Sequence, residues 1–377
     1  MRISRDLKAR RRLAALAVVA AAAATLGLIL GAGGGGDSPK PAPRAPSAKP
    51  KVAKLPIAQA LGQVLVMSFD GTSVPGYIRR RLREGQGTGV ILFSKNAPDS
   101  ATLRRLTKGL QRASGGRTLI ATDQEGGQIR SVPFAAPAAS AGTITTPKAA
   151  AEAAGEGARE LRANGLNVNL APVADVADGI GSVLAGRAYP GDAGAVAPLV
   201  RASVEAHARE RVGATVKHFP GLGRAGANTD DEPVTLDAPA RELAADLLPF
   251  REAISAGVPL VMSSHALYTG LDRERIASQS EAVLGGLLRD DLGFEGAVVT
   301  DSIEAQAVLA RSSVAEAAER SVAAGADLVL MTGSASWNEV HPRLLRRARR
   351  DPGFRARVRE AAGRVLELKR KLRLKGP

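Results

Sequence analysis

The sequence predicts an α/β fold, a (β/α)8 barrel of the TIM type, and three observations carry that expectation. Eight short β-rich runs recur between residues 55 and 377. Amphipathic Ala/Leu/Arg/Glu stretches separate them, the pattern of parallel strands with crossover helices. The first run is followed by Phe69-Asp70-Gly71-Thr72, not by the Gly-rich phosphate fingerprint that an open doubly wound sheet would usually show there. The body is long enough for such a barrel, normally about 250 residues plus insertions.

The elements follow in chain order. Residues 1–12 form a basic flank with Arg2, Arg5, Lys8, Arg10, Arg11 and Arg12, and residues 13–32 are an uncharged run. A run of roughly 20 apolar residues suffices to span a bilayer, and basic residues on its N-terminal side hold that end in the cytoplasm. The remainder is then exported. Leu30 stands where a signal peptidase cutting after Ala32 wants a small residue, which favours an uncleaved anchor over a cleaved signal; cleavage would make the protein secreted. The Arg-Arg pair lacks the rest of a twin-arginine pattern. Residues 33–54, four glycines and then repeated Pro, Ala and Lys, read as a semi-extended spacer. The expected strands are Gln63–Phe69, Thr88–Phe93, Thr118–Thr122, Asn167–Pro172, Ala214–His218, Pro259–Ser263, Ala297–Thr300 and Asp327–Met331, with helices such as Ala149–Ala163, Ala193–Glu210 and Ser313–Ala324 between them.

Composition narrows the function. The absence of cysteine removes disulfides, thiolate metal sites, a cysteine nucleophile and a Cys-linked lipid. Four histidines leave little for a multi-histidine metal cage. The net charge of +15 is concentrated at the ends: residues 1–54 carry 11 Lys/Arg against 2 acids and residues 341–377 carry 14 against 3, so the stretch between is acidic. With 3% aromatic residues, this is not the interleaved basic and aromatic surface of a nucleic-acid binder. The C-terminal charge reads as the solvated face of a terminal helix or as a contact for anionic lipid or wall polymer.

In a barrel of this kind the site lies at the C-terminal ends of the strands. The residues closing the eight runs are Asp70, Ser94-Lys95-Asn96, Asp123-Gln124-Glu125, Asp175, Lys217-His218, Ser263-Ser264-His265, Asp301-Ser302 and Thr332. Carboxylates, a lysine and histidines in one ring suit carbohydrate chemistry, in which hydroxyls are held by fixed polar groups and the glycosidic bond is cleaved between a nucleophile and a proton donor. Asp301, projecting from Ala297-Val298-Val299-Thr300, is the candidate nucleophile; its bland alternative is an ion-pair partner of Lys217. Lys217 could instead form a Schiff base in an aldolase, which a hydrophobic pocket and a depressed pKa would favour. Asp230, Asp231 and Glu232 could bind a metal, but no His lies near them. Met67, Met262 and Met331 are expected in the core. Trp337 either stacks on a sugar or packs at the surface.

Four motifs in order make the resemblance specific: Asp123-Gln124-Glu125-Gly126-Gly127, Lys217-His218-Phe219-Pro220-Gly221, Val261-Met262-Ser263-Ser264-His265 and Val299-Thr300-Asp301-Ser302. From about Leu55 to about Gly333 the chain resembles glycoside hydrolase family 3, in its single-domain β-N-acetylglucosaminidase branch. The resemblance implies sugar-holding roles for Asp123, Lys217 and His218. Gly186-Arg187-Ala188-Tyr189 is similar to the family's Gly-x-Arg-Ser-Phe stretch, which makes Arg187 a substrate ligand. The family's other Arg falls at Ser131 here, with Arg130 one place earlier as the nearest stand-in. Asp301 becomes the nucleophile of a retaining reaction, and no cofactor is implied.

The acid/base position departs from the pattern. In that branch a loop after Lys-His-Phe-Pro-Gly carries Asp-Ser/Thr-His, whose His donates the proton. The loop from Leu222 to Pro233 contains no His. Counting from Gly223 places Asp230 at the His position and Asn228 at that of its orienting Asp; Asp231 and Glu232 are the fallbacks. A carboxyl in this role needs its pKa raised by partial burial or a like charge. The expected activity is release of terminal β-linked N-acetylglucosamine from wall-type glycans. The alternatives are a catalytically weak or inactive glycan-binding barrel and a family member acting on β-glucosides. Gly221, Gly223 and Gly226 fit a flexible lid or an ordinary long turn.

Overall fold

The eight β-rich runs become eight parallel strands in a computed structural model that describes residues 55–177 and 181–376. The basic flank 1–12, the apolar run 13–32 and the spacer, residues 33–54, lie outside the described residues. The strands are β1 (Leu65–Met67), β2 (Gly89–Ile91), β3 (Leu119–Thr122), β4 (Val168–Asn169), β5 (Gly213–Phe219), β6 (Leu260–Ser263), β7 (Ala297–Ser302) and β8 (Leu328–Leu330). They close in the order β1-β8-β7-β6-β5-β4-β3-β2. β4 is only two residues long, yet it joins β3 through Ala121↔Val168 and β5 through Val168↔Gly213.

The strands read as continuous apolar runs because both of their faces are buried. Val66, Ile91, Leu119, Val168, Leu260, Met262, Val299 and Leu330 belong to one cluster that fills the barrel. Met67, Met262 and Met331 are all buried, as expected. Two larger clusters lie under the surrounding helices.

The helices are α1 (Ile57–Gly62), α2 (Gly76–Arg83), α3 (Ser100–Ser114), α4 (Pro147–Ala163), α5 (Ala193–Arg209), α6 (Ala240–Asp246), α7 (Leu248–Ser255), α8 (Gln306–Leu309), α9 (Val314–Ala324), α10 (Trp337–Arg350) and α11 (Pro352–Lys371). A wider-wound π-helix spans Ala282–Asp291. Local sequence sets the starts of several: Asp99, Thr146, Asp192 and Asp351 each accept a hydrogen bond from the backbone N–H three residues on, and Ser313 with Glu316 forms a capping box. Among the described residues no helix is long and apolar enough to cross a membrane.

α11 closes the N-terminal mouth of the barrel. Val365 and Leu368 join the barrel-filling cluster, with Leu372 and Leu374 packed against it. Arg357 and Arg364 pair with Asp327, the wholly buried residue preceding β8, which also takes Arg289. Lys369 Nζ donates to Gln63 Oε1 at 2.8 Å, just before β1, and the Lys375 N–H donates to the Gly116 carbonyl at 3.0 Å, ahead of β3. The chain enters this end as well, since Arg359 donates to the Leu55 carbonyl at 3.2 Å. Residues from Leu55 on thus hold a closed sheet, its internal core and its closing helix, and belong to one compact unit.

Candidate active site

At the opposite end the strands deliver their polar residues into one place. Lys217, near the end of β5, is buried, and its Nζ lies 2.6 Å from both Asp123 Oδ1 and Glu125 Oε1. Glu125 also receives a two-pronged pair from Arg187, with Nε at 3.0 Å and Nη2 at 2.8 Å, the fork geometry to which guanidinium is suited. Burial alone would raise the Glu125 carboxyl, but Lys217 and Arg187 outweigh it and bring it down to about 2. Asp123 is pushed up by burial and further by Glu125, against the pull of Lys217. Despite burial, the two carboxylates hold Lys217 cationic, above its ordinary range. An amine kept charged is no Schiff-base nucleophile, which removes the aldolase reading.

His218 is fixed from behind. Its Nδ1 lies 2.7 Å from Asp175 Oδ2, and the wholly buried Asp175 also accepts the backbone N–H groups of His218 and Leu222. This carboxylate orients the ring and places the Nδ1 proton. The opposite ring nitrogen, Nε2, faces Asp301 Oδ2 at 3.8 Å.

Asp301 lies within β7, one residue from its end, and Oδ1 accepts the Ser302 N–H at 2.7 Å. Burial would raise its carboxyl, but His218, His265 and Lys217 together hold it below the usual range. Its charge-bearing partners leave it open: Lys217 is engaged by Asp123 and Glu125, not by Asp301. The ion-pair alternative for Asp301 therefore falls away. His265 donates Nε2–H to the Ser302 carbonyl at 2.9 Å and meets the Ser278 hydroxyl through Nδ1 at 2.7 Å. Burial lowers its pKa, and through these two bonds the ring braces the backbone beside Asp301. Glu304 ties the ends of β7 and β8 together through Ser302, Thr332 and Ser336.

The loop between β5 and α6 folds over this group. The N–H groups of Ala307 and Gln306, just past β7, donate to the carbonyls of Thr229 and Asp230, both at 3.1 Å. The Asn228 side chain accepts the Asp230 N–H at 3.1 Å. Asp230 is exposed, yet the protein crowded around its carboxyl and then the charge of Asp301 raise it. Two of the loop glycines serve shape. Gly221 has φ +128°, and a Cβ at Gly223 would collide with the Val176 carbonyl, so the loop's root is packed while its tip is docked.

Asp231 and Glu232 are exposed, and among the described residues neither side chain makes a hydrogen bond or ion pair. Arg130 turns back on its own loop, donating to the carbonyls of Pro133 at 2.6 Å and Ala135 at 3.0 Å. Asp70 pairs with Lys95 as exposed residues. Trp337 stacks on His341, lies under the Arg81 guanidinium and donates to the Gln86 carbonyl, so it packs between helices and is not free to stack on a sugar. Among the described residues no group of three or more His, Asp or Glu could hold a metal ion. Glu125, Asp175 and His265 are the residues whose roles went unassigned in the sequence. Glu125 had a signal: two places after Asp123 in an extended segment, it emerges on the same face. Asp175 and His265 close their strand runs, but nothing local names their partners.

The arrangement can hold a polyol between Asp123, Lys217, Arg187 and His218, with one carboxyl held below the usual range and one raised above it alongside. Comparison with known proteins agrees in kind. The sequence pattern described as Glycosyl hydrolase family 3 N terminal domain matches residues 57–368. An uncharacterized secreted glycosyl hydrolase of Arthroderma benhamiae is 34% identical over 300 residues, 76% of this chain and 84% of that protein. A beta-hexosaminidase of Bordetella pertussis is 34% identical over 282 residues, 72% of this chain and 80% of that protein. Among solved structures, a glycoside hydrolase family 3 beta-N-acetylglucosaminidase from a Paenibacillus species superposes with a TM-score of 0.81 at 34% identity, covering 85% of this chain and 63% of that one. A beta-N-acetylhexosaminidase from Beutenbergia cavernae gives 0.75 at 30% identity, covering 84% and 99%. The chain thus spans just under two thirds of the Paenibacillus enzyme.

Proposed function

The chain belongs to glycosyl hydrolase family 3, and from that premise we propose that it removes terminal β-linked N-acetylglucosamine from cell-wall-type glycans, with retention of configuration. The observation that carries the reading is the pair of carboxyls driven apart, Asp301 downward and Asp230 upward. That is the division of labour between a nucleophile and an acid.

In the first step Asp301 attacks the anomeric carbon as the glycosidic C–O bond breaks, and Asp230 gives its proton to the departing oxygen. In the second, Asp230 takes a proton from water, the water oxygen attacks the anomeric carbon, and the bond to Asp301 breaks. Asp123, Lys217, His218 and Arg187 hold the sugar. Asp175 fixes the His218 ring, and Asn228 seats Asp230 where the resembling branch uses a histidine. Asp231, Glu232 and Arg130 are secondary candidates: the first two side chains make no hydrogen bond or ion pair among the described residues and Arg130 is engaged by its own loop, whereas Asp230 is seated by Asn228. The names of the Bordetella and Beutenbergia relatives support the hexosaminide substrate. The secreted Arthroderma relative and the apolar run 13–32 support export, and the length of that run supports an uncleaved anchor. Fractionation of the full chain between membrane and soluble extract tests the anchor.

The activity test is hydrolysis of an aryl β-N-acetylglucosaminide by residues 55–377, beside an aryl β-glucoside and the Asp301→Asn variant. Turnover of the first, abolished in the variant with sugar binding retained, is expected. Full activity in Asp301→Asn would remove that residue as nucleophile. Binding of N-acetylglucosamine without turnover of either substrate would favour the glycan-binding barrel, for which the histidine-free loop is the specific argument.

A further inference from the structure

The base of the barrel carries charge that neither the fold nor the proposed chemistry uses. Of the 14 Lys/Arg in residues 341–377, several are consumed internally: Arg343 and Arg347 pair with Glu319, Arg357 and Arg364 with Asp327, Arg370 with Glu367, and Lys369 is buried. Arg346, Arg349, Arg350, Lys371, Arg373 and Lys375 are different. All six are exposed, and among the described residues none lies within 4.0 Å of a carboxylate.

Their placement follows from the fold. Arg346, Arg349 and Arg350 occupy the last turns of α10, which descends from the site end toward the base as a crossover helix does. Lys371 ends α11 and Arg373 and Lys375 follow it, beside Leu372 and Leu374, which pack against the barrel-filling cluster; the Lys375 N–H bonds to Gly116 ahead of β3. α10 and α11 pack on each other and on α1. A helix C-terminus favours cations, which would account for one or two of these residues but not for six without counter-charge.

The same end receives the chain from its N-terminal segment. Leu55 is held by Arg359 of α11, and α1 packs against both α10 and α11. Upstream are 22 spacer residues, 33–54, and before them the apolar run 13–32. The base is thus the part of the barrel nearest to that run along the chain. A surface reached through this spacer is therefore met first by the base.

We propose that the basic base of α10 and α11 docks on the anionic headgroups of the membrane that residues 13–32 enter, so that the catalytic mouth at the opposite end faces away from the bilayer. The choice of a membrane as partner rests on the tether reading given under Proposed function. The spacer raises the local concentration of headgroups at the base into a regime where individually weak contacts are occupied. The contact is electrostatic: the exposed large apolar side chains among the described residues, Phe134, Leu248 and Leu309, lie on neither α10 nor α11. Headgroup attraction decays within a Debye length, about 10 Å at 0.1 M salt.

Residues 55–377, which contain the whole barrel and its core, lack the apolar run and so isolate the base from the tether. Co-sedimentation with vesicles of phosphatidylcholine alone and with 30% phosphatidylglycerol, at low and high salt, reads the contact. Binding only to the phosphatidylglycerol vesicles, lost at 0.5 M salt, is expected. The combined variant R346E/R349E/R350E/K371E is expected to bind at least about tenfold more weakly while keeping its turnover of an aryl β-N-acetylglucosaminide, or its N-acetylglucosamine binding and melting temperature if the parent does not turn over. Charge reversal of Arg273 and Arg275, exposed in the loop that follows β6 at the site end, should leave vesicle binding unchanged. Absence of binding to anionic vesicles, equal binding to both vesicle types, or undiminished binding by the combined variant would each overturn the docking surface. So would binding to soluble polyphosphate alone. A failure of the tether would appear separately, as full-length protein in the soluble fraction.

Discussion

In the proposed mechanism Asp230 takes the place that a histidine has in the resembling branch, and that replacement changes the expected pH behaviour. An acid must be protonated to donate, and Asp230 is raised by crowding and by Asp301. Asp301 must be ionised to attack, and it is lowered. Activity should therefore fall on the acid side as Asp301 takes up its proton, and on the basic side as Asp230 loses its own, giving a bell in kcat/KM. Asp230→Asn should flatten the basic limb. It should cost roughly 10²–10⁴ in rate on natural disaccharides and far less on aryl glycosides with good leaving groups. Rates measured against pH on both substrates decide it; equal losses on both, or an unmoved basic limb, would exclude Asp230 as the acid. Asp123, Lys217, His218 and Asp301 were legible one by one because each closes or nearly closes a β-rich run. Their pairing was not. Lys217 finds Asp123 across 94 positions of sequence, and the choice between Asp301 and Glu125 as its other neighbour depends on strand order and register, which no local pattern carries.

Among the elements, the crossover helices were readable from period and caps, whereas α11 was legible as a basic, closing terminal helix but not as the one that fills the base. Its work is to bury Val365 and Leu368 beneath the barrel while carrying Lys369 into the same apolar setting. Burial, and then Arg117, brings the Lys369 amine down to about 7. Its folded pKa lies below the unfolded value near 10.5, so the unfolded chain binds more protons between those limits and stability rises with pH across that window. Below pH 7 the charged form is buried and its cost is fully present. Lys369→Met should therefore raise the melting temperature at pH 6, and the gain should shrink toward pH 10, as thermal melts at the two ends of the range would reveal. A gain independent of pH would mean that packing, not charge, limits this helix. The loop that carries Asp230 shows the converse. Its glycines suggested flexibility, but Gly221 and Gly223 are required by a positive φ and by contact with Val176, and the tip is hydrogen-bonded to Gln306 and Ala307.

At the scale of the whole molecule the two ends of the barrel have separate tasks, with the polar ring at one end and the closing helix and basic surface at the other. Because the cluster inside the barrel is completed by residues of α11, deleting 351–377 should expose apolar surface and the buried Asp327 together. The shortened protein should lose cooperative melting and bind a hydrophobic dye. A sharp transition in that truncation would show that the strands close without their base.

The sequence by itself determined that this chain folds as an eight-fold strand and helix alternation, and which residues stand at the strand ends. Those features follow from short-range periodicity, from caps within three residues, and from motifs contiguous in the chain. The tertiary structure decided which carboxylate is paired with Lys217 and which is left open, how the loop of Asp230 reaches the residues past Asp301, and that the C-terminal helix is the floor of the barrel. Each of these joins groups far apart in sequence. Their energies depend on burial and on the charges gathered around them, and those are settled only when the sheet has closed.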